Sequence, residues 1–107
     1  MSPDALTDCL DGALPGFRRF VESEENLYEQ DNVHGVFVAC SDLVRERDIA
    51  DASWRKLADV VNGIVGGSDE ELDNAACTCF LENLAETDHP LRALLRGEAL
   101  EYWKRWE

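Results

Sequence analysis

Residues 68–86 read S-D-E-E-L-D-N-A-A-C-T-C-F-L-E-N-L-A-E, and this stretch decides the fold. Ser68 and Glu71 have the spacing of a capping box, which predicts a helix that begins at Ser68 and carries acids at the positive end of its dipole. Between Asn74 and Ala85 the only charged residue is Glu82. A helix that is apolar nearly all round is buried, and this one is too short to span a membrane. We therefore predict the central helix of a small all-helical domain.

Apolar residues at helical spacing predict further helices on both sides of this stretch. The first predicted helix starts at Pro3, after the cap Ser2, and ends near Leu14, and the second runs from about Gly16 to Gln30. The third is capped by Asp31 or Asn32. The fourth is capped by Asp51 or Ser53 and ended by Gly66 and Gly67, and a final helical region follows Pro90. No segment shows the alternation of a strand, and short loops favour antiparallel neighbours. The prediction is one all-α domain over residues 1–107, a compact bundle of about six helices in antiparallel pairs, either HEAT-like or armadillo-like or irregular.

The charge of the chain indicates the class of partner. With 23 Asp and Glu against 10 Lys and Arg, the formal net charge is −13. Such a chain repels nucleic acid and anionic membranes, so neither is an expected partner, and a basic protein surface is. The first residues lack the basic start and apolar core of a secretory signal, so a cytoplasmic location is expected.

The cysteines and histidines do not have the spacing of a metal site. Cys77 and Cys79 are two residues apart on a helix, so their thiols diverge by about 200°, and no histidine has a ligand-spaced neighbour. The four cysteines are Cys9, Cys40, Cys77 and Cys79. An even number allows disulfides, but a cytosolic chain of this size does not need them. We predict reduced, buried core thiols and neither a metal nor a cofactor.

Motifs of enzymes and of DNA-binding helices are missing from the sequence. It has no Gly-rich phosphate loop, no G-x-S-x-G and no H-E-x-x-H, and no helix gathers a basic face. A cysteine–histidine pair stays open, because the fold could bring any cysteine near His34 or His89. We expect a protein that is not an enzyme and has no catalytic residue.

The acids are concentrated in two clusters without Lys or Arg. These basic residues are missing between Val21 and Val44 and again between Leu57 and Leu91. Solvated surface explains any single acid, and for the two clusters together both solvated surface and a basic partner remain open explanations. The candidate partner-binding residues are Glu22, Glu25, Glu29 and Asp31, mostly away from the apolar stripe of the second helix, and Asp69, Glu70 and Asp73 at the exposed start of the central helix.

The motif D-N-x-x-x-x-C-F-L-E-N-L begins at Asp73 and ends at Leu84. Together with the His89-Pro-Leu motif and the closing Trp103 and Trp106, it resembles a family of small acidic all-helical bacterial proteins that often occur as immunity proteins of polymorphic toxins. The likeness spans about residues 20–107 and is carried mostly by core positions. It therefore implies the fold more directly than the activity.

This resemblance implies an immunity protein that binds and neutralises a cognate bacterial toxin, by covering the toxin's active site with an acidic surface. It supplies no catalytic residue, and contact residues do not transfer because immunity proteins diverge at the surface that meets the toxin. The alternative is a helical adaptor or regulatory protein that binds another basic partner.

Overall fold

The chain folds into helices arranged around residues 70–85, which we name the central helix. The computed structural model describes residues 1–23, 28–85 and 89–107. The α-helices are α1 (Pro3–Ala13), α2 (Phe17–Ser23), α3 (Val33–Glu46), α4 (Asp51–Ile64), α5 (Glu70–Ala76), α6 (Glu82–Ala85) and α7 (Gly97–Lys104). A π-helical turn, Cys77–Leu81, joins α5 to α6, and a 3₁₀ turn spans Pro90–Leu94. With the central helix counted as one, the described residues form six helices and no strand, so the predicted all-α bundle is confirmed.

Two helices begin at caps that the sequence predicts. The Ser2 hydroxyl accepts a hydrogen bond from the Ala5 N–H at 3.1 Å, directly before the proline at the first position of α1. At α3 the Asn32 side chain accepts from the Gly35 N–H at 2.8 Å. Of the two predicted caps, Asn32 therefore holds the helix, and Asp31 is left outside it with its carboxylate exposed.

The start of α4 differs from the prediction. The N-cap residue is Ala50, whose side chain cannot accept a hydrogen bond, and neither Asp51 nor Ser53 is the cap. The helix begins one residue after Ala50, so Asp51 occupies its first turn. There its carboxylate interacts favourably with the helix dipole although it caps no N–H group.

The central helix begins later than the capping box predicts. Its N-cap is Asp69, whose Oδ1 accepts from the Leu72 N–H at 3.1 Å, and the helix starts at Glu70. The predicted box between Ser68 and Glu71 is therefore wrong. A carboxylate is a charged acceptor and makes a stronger hydrogen bond to a backbone N–H than a serine hydroxyl does.

The second helix is shorter than its apolar pattern predicts. Helix α2 ends at Ser23, residues 28–32 are not helical, and residues 24–27 lie outside the described part of the chain. The Gln30 side chain donates to the Val21 carbonyl at 3.3 Å, so this loop returns to the last turn of α2. The prediction of a helix up to Gln30 is wrong for the residues after 27.

The core lies between the central helix and α3, α4 and α7. The Phe80 and Phe37 rings pack with their centroids 5.9 Å apart, and Trp103 of α7 is buried. Of the other aromatic residues near the C-terminus, Tyr102 is half-buried and Trp106 remains 44 % exposed. In the described part of the chain, no helix combines the length and apolarity needed to cross a bilayer.

Candidate protein-binding surface

The first turns of α3 and of the central helix lie side by side, although they are far apart in the sequence. Between them lies a shallow recess of about 170 Å³. Its lining residues are Met1, Pro3, Asp31, Asn32, Val33, Asp69, Glu71 and Leu72. The fold thus brings together acids from both predicted clusters. We name this surface, formed by Glu29, Asp31, Asp69, Glu70 and Glu71, the acidic pole.

Asp69 is the most constrained carboxylate of the acidic pole. It caps the central helix through the Leu72 N–H, and its Oδ2 lies 2.9 Å from the N-terminal ammonium of Met1. The hydrogen bond from the ammonium, followed by that from Leu72, lowers the pKa of Asp69 below its ordinary value. Asp69 therefore serves the fold, and part of its charge is already neutralised.

Three other carboxylates of the acidic pole are free to meet a partner. Asp31, Glu70 and Glu71 are exposed, and within the described residues their side chains make no ion pair or hydrogen bond. Glu29 is also exposed, and its Oε2 accepts from the Asn32 side chain at 2.5 Å. An incoming Lys or Arg would thus find unpaired acceptors at this surface.

The loop that carries Glu29 and Asp31 is held against α3. The Tyr28 hydroxyl donates to Asp42 Oδ2 at 2.8 Å, which fixes one end of the loop, and the Asn32 cap fixes the other. A Cβ at Gly35 would overlap the Glu29 carbonyl. Only glycine allows so close an approach, so the loop carries its acids on a packed support.

Asp73 faces a different recess from Asp69. Its Oδ1 accepts from the Gly66 N–H at 3.1 Å and from the Cys77 thiol at 3.6 Å. This second recess has a volume of about 630 Å³ and is lined by Val65, Asp73, Asn74, Cys77, Thr78, Glu98, Glu101, Tyr102 and Arg105. The candidate residues Asp69 and Asp73, only four positions apart, therefore face two different recesses.

Glu22 lies in an ion-pair cluster and not at the acidic pole. Glu22 lies 3.7 Å from Arg18, which also pairs with Asp8 at 2.6 Å and with Asp4 at 3.1 Å. Hydrogen bonding to Asp8 is the largest effect that raises the pKa of Arg18. Glu22 thus belongs to a partly compensated ion-pair cluster on α1 and α2, and Glu25 lies outside the described residues.

Glu71 is a member of the acidic pole that the sequence analysis did not include. The capping-box spacing assigned its carboxylate to the N–H of Ser68, whereas it lines the recess beside Asp31 and Asp69. The sequence does contain a second candidate cap at Asp69. Asp is among the strongest N-cap residues, and with Asp69 as the cap the Glu71 carboxylate is not needed at Ser68 and is free.

The thiols fall into two pairs. Cys40 and Cys77 are buried as predicted, and burial raises the pKa of both, that of Cys77 to about 12. Cys9 and Cys79 are only half-buried, so the prediction of buried thiols is wrong for them. All four cysteines are free thiols without a disulfide.

Over residues 1–23, 28–85 and 89–107, no three His, Cys, Asp or Glu side chains converge as a metal site.

The comparison with known families covers almost the whole chain. A family model described as "Domain of unknown function (DUF7674)" matches residues 7–107. The chain belongs to the DUF7674 family. No curated protein and no solved structure matches it. The geometry and charge of this DUF7674 domain are therefore the basis for a functional proposal.

Proposed function

We propose that this DUF7674 domain is an immunity protein that binds and neutralises a cognate bacterial toxin in the cytoplasm. Its acidic pole would cover a basic surface around the toxin's active site. The observation that supports the proposal is the presence of two unpaired, exposed carboxylates, Asp31 and Glu71, in the lining of one shallow recess, with the exposed Glu70 next to Glu71 in the first turn of the central helix. The resemblance carried by residues 73–84 supplies the class of protein.

Charge and rigidity favour such an inhibitor physically. A net charge of −13 attracts a basic protein over a long range and accelerates association, most strongly at low salt. Toxins that act on nucleic acid or nucleotides often have basic active sites, and an acidic surface complements them. Because the loop with Glu29 and Asp31 is already packed against α3, binding has little backbone entropy to remove.

The same charge argues against nucleic acid and anionic membranes as partners. Both repel an acidic surface, and binding to either requires a basic patch that releases counterions. The lining of the recess between α3 and the central helix contains no Lys or Arg side chain in the part of the chain that is described. A basic protein is the class of partner that fits.

The test begins with the gene neighbourhood, where the proposal expects a toxin-domain gene beside the gene for this protein. The two proteins are co-expressed, and the expected result is that this domain rescues growth and co-purifies with the toxin. The inhibited toxin should also fail to bind its substrate, because the proposed mode is occlusion of the active site. A toxin that is still lethal and does not associate would overturn the proposal.

Association kinetics then locate the interface. We expect the triple variant Asp31→Lys, Glu70→Lys and Glu71→Lys to lower the on-rate for the toxin by about tenfold or more at low salt. The loss should shrink at high salt, because exposed charges are screened there. Circular dichroism and a thermal melt check that the variant is folded.

A matched control separates position from total charge. Glu46, Asp48 and Asp51 are exposed acids near the other end of α3, about 20 Å from its first turn at 1.5 Å per residue. Reversing these three to Lys changes the net charge equally and should affect the on-rate much less. Equal losses of on-rate in both triple variants would reject a specific role of the acidic pole.

If neither triple variant changed the on-rate or the off-rate, the contact would have to be sought at the exposed Trp106.

A further inference from the structure

Cys79 and His34 form a close pair between the central helix and α3. The Cys79 Sγ lies 3.3 Å from His34 Nδ1, and both side chains are half-buried. The two residues are far apart in the sequence, so only the fold brings them together. A nucleophile and a base within hydrogen-bonding distance are the minimum arrangement for an activated thiol.

The π-helical turn is the local feature that carries Cys79. Its backbone is closed by a hydrogen bond from the Glu82 N–H to the Cys77 carbonyl, five residues back. Around this wide turn Cys77 contacts Asp73 on one side and Cys79 contacts His34 on the other. Single π-helical turns within α-helices are frequent at functional sites.

His34 is the base in contact with the thiol. The Thr78 hydroxyl also lies near, 3.6 Å from Cys79 Sγ, but its proton is directed to the Asn74 carbonyl at 2.9 Å. It therefore offers the thiol a lone pair of low basicity. The thiolate is the reactive form of cysteine, and an imidazole nitrogen can accept the proton that must leave.

The other three cysteines lack this arrangement. Cys40 and Cys77 are buried, which raises the pKa of each thiol and keeps it protonated. Cys9 is half-buried like Cys79 but has no hydrogen-bond partner for its thiol among the described residues. Cys9 is therefore a natural internal reference for the effect of the imidazole.

We propose that Cys79 is a modification site that undergoes thiol–disulfide exchange with small disulfides, with His34 as the base. His34 Nδ1 takes the proton of the thiol, and the Cys79 thiolate attacks one sulfur of the disulfide. A new S–S bond forms as the old one breaks, and the leaving thiolate receives the proton from His34. The products are one mixed disulfide on Cys79 and one free small thiol, so the small disulfide is the oxidant.

The charge of the chain selects among disulfides. A net charge of −13 repels anionic disulfides, so the site favours neutral or cationic ones. Hydroxyethyl disulfide is neutral and small enough for a half-buried sulfur. It is therefore the probe in the following experiment.

The experiment measures adduct formation on the native full chain at pH 7. Hydroxyethyl disulfide is added, the reaction is quenched at intervals, and peptide mass spectrometry quantifies the adducts on Cys79 and Cys9. We expect Cys79 to react at least about tenfold faster than Cys9, since a positioned base typically contributes more than this. Equal rates, or a faster Cys9, would overturn the proposal without any variant being made.

The variants His34→Asn and His34→Gln test the role of the base. Both keep a polar side chain and remove the basic nitrogen, and circular dichroism shows which of them is folded. In the folded variants the rate at Cys79 should fall to that of Cys9, while Cys9 itself is unchanged. An undiminished advantage of Cys79 would reject His34 as the base. The assay contains no protein partner, so its outcome is independent of the proposed immunity function.

Discussion

The two ends of the central helix behave very differently. In its second half, Phe80, Leu81 and Leu84 are completely buried. At its start, three of the four acids between positions 69 and 73 have different surroundings: Asp69 is the cap, Glu70 is exposed, and Asp73 faces the second recess. The apolar side chains are all buried because exposure of each to water is unfavourable. The surroundings of a carboxylate depend instead on which hydrogen-bond donors the fold places near it.

The difference between these two ends suggests that the buried end determines the stability of the fold and the acidic end determines partner binding. The buried half packs against α3 and α7, and substitutions there should change the free energy of unfolding. The exposed acids of the start, Glu70 and Glu71, add little to the core, and substitutions of these two should change binding. The following predictions test this division, from the largest expected effect to the smallest.

Phe80→Ala should cause the largest loss of stability. The ring is fully buried against Phe37, so its removal leaves a cavity as well as losing transfer free energy. We expect the free energy of unfolding to fall by about 3–5 kcal/mol, measured by urea denaturation. Thr78→Ala, an exposed position two residues away, is the control and should cost far less. Similar losses for both variants would contradict the division of the helix.

Gly35→Ala and Gly63→Ala should have opposite effects. A Cβ at Gly35 would overlap the Glu29 carbonyl, whereas a Cβ at Gly63 meets nothing within 4 Å. The first variant should lose about 1–3 kcal/mol through overpacking, and the second should gain about 0.5–1 kcal/mol because alanine favours the helix. Paired urea melts measure both. A stabilised Gly35→Ala would mean that the acidic loop is not packed against α3.

The fold was largely predictable from the sequence because helix burial follows a local period. The spacing of apolar residues around Phe80 and along α4 is sufficient to orient those helices. Their ends were less predictable. The same N-terminal region offers several cap residues, such as Ser68 and Asp69, and the choice depends on the competition between nearby acceptors.

The acidic pole was predictable only in part. Its acids are visible in the sequence, but their grouping is tertiary: Asp31 and Asp69 share a recess, whereas Asp73 does not. The contact of His34 with Cys79 is tertiary in the same sense. Residue types can therefore be proposed from sequence, while the pairs that they form require the packing of α3 against the central helix.

His89 should make stability depend on pH. Its Nδ1 accepts from the Leu91 N–H at 3.3 Å, its ring packs edge-on against Trp54, and burial lowers its pKa below the ordinary 6.5. The unfolded chain then binds a proton more readily than the folded one. The contribution of neutral His89 is present above pH 6.5 and is lost as the pH falls through the folded pKa.

His89→Asn isolates this contribution, because asparagine keeps an acceptor at the cap of the 3₁₀ turn and does not titrate. We expect the wild-type protein to lose stability between pH 7.5 and 5.5 more steeply than the variant, as measured by urea melts across this range. Parallel curves for the two proteins would show that the histidine contributes nothing to the slope.

The smallest effects are expected at the start of the central helix, where Asp69→Asn and Glu70→Gln each remove one negative charge. Asp69 caps the helix and pairs with the Met1 ammonium, so its pKa is lowered. The contribution of the Asp69 carboxylate to stability is present above the ordinary carboxyl pKa and is lost as the pH falls through the pKa of the folded state.

Glu70 is exposed, so Glu70→Gln should shift the free energy of unfolding by less than about 0.5 kcal/mol. Asp69→Asn should instead lower stability at pH 7 and flatten the acid limb of the stability curve. If the two variants were equally stable, the Asp69 carboxylate would contribute no more to the fold than that of Glu70, and Asp69 would join Asp31, Glu70 and Glu71 as a carboxylate free to bind a partner.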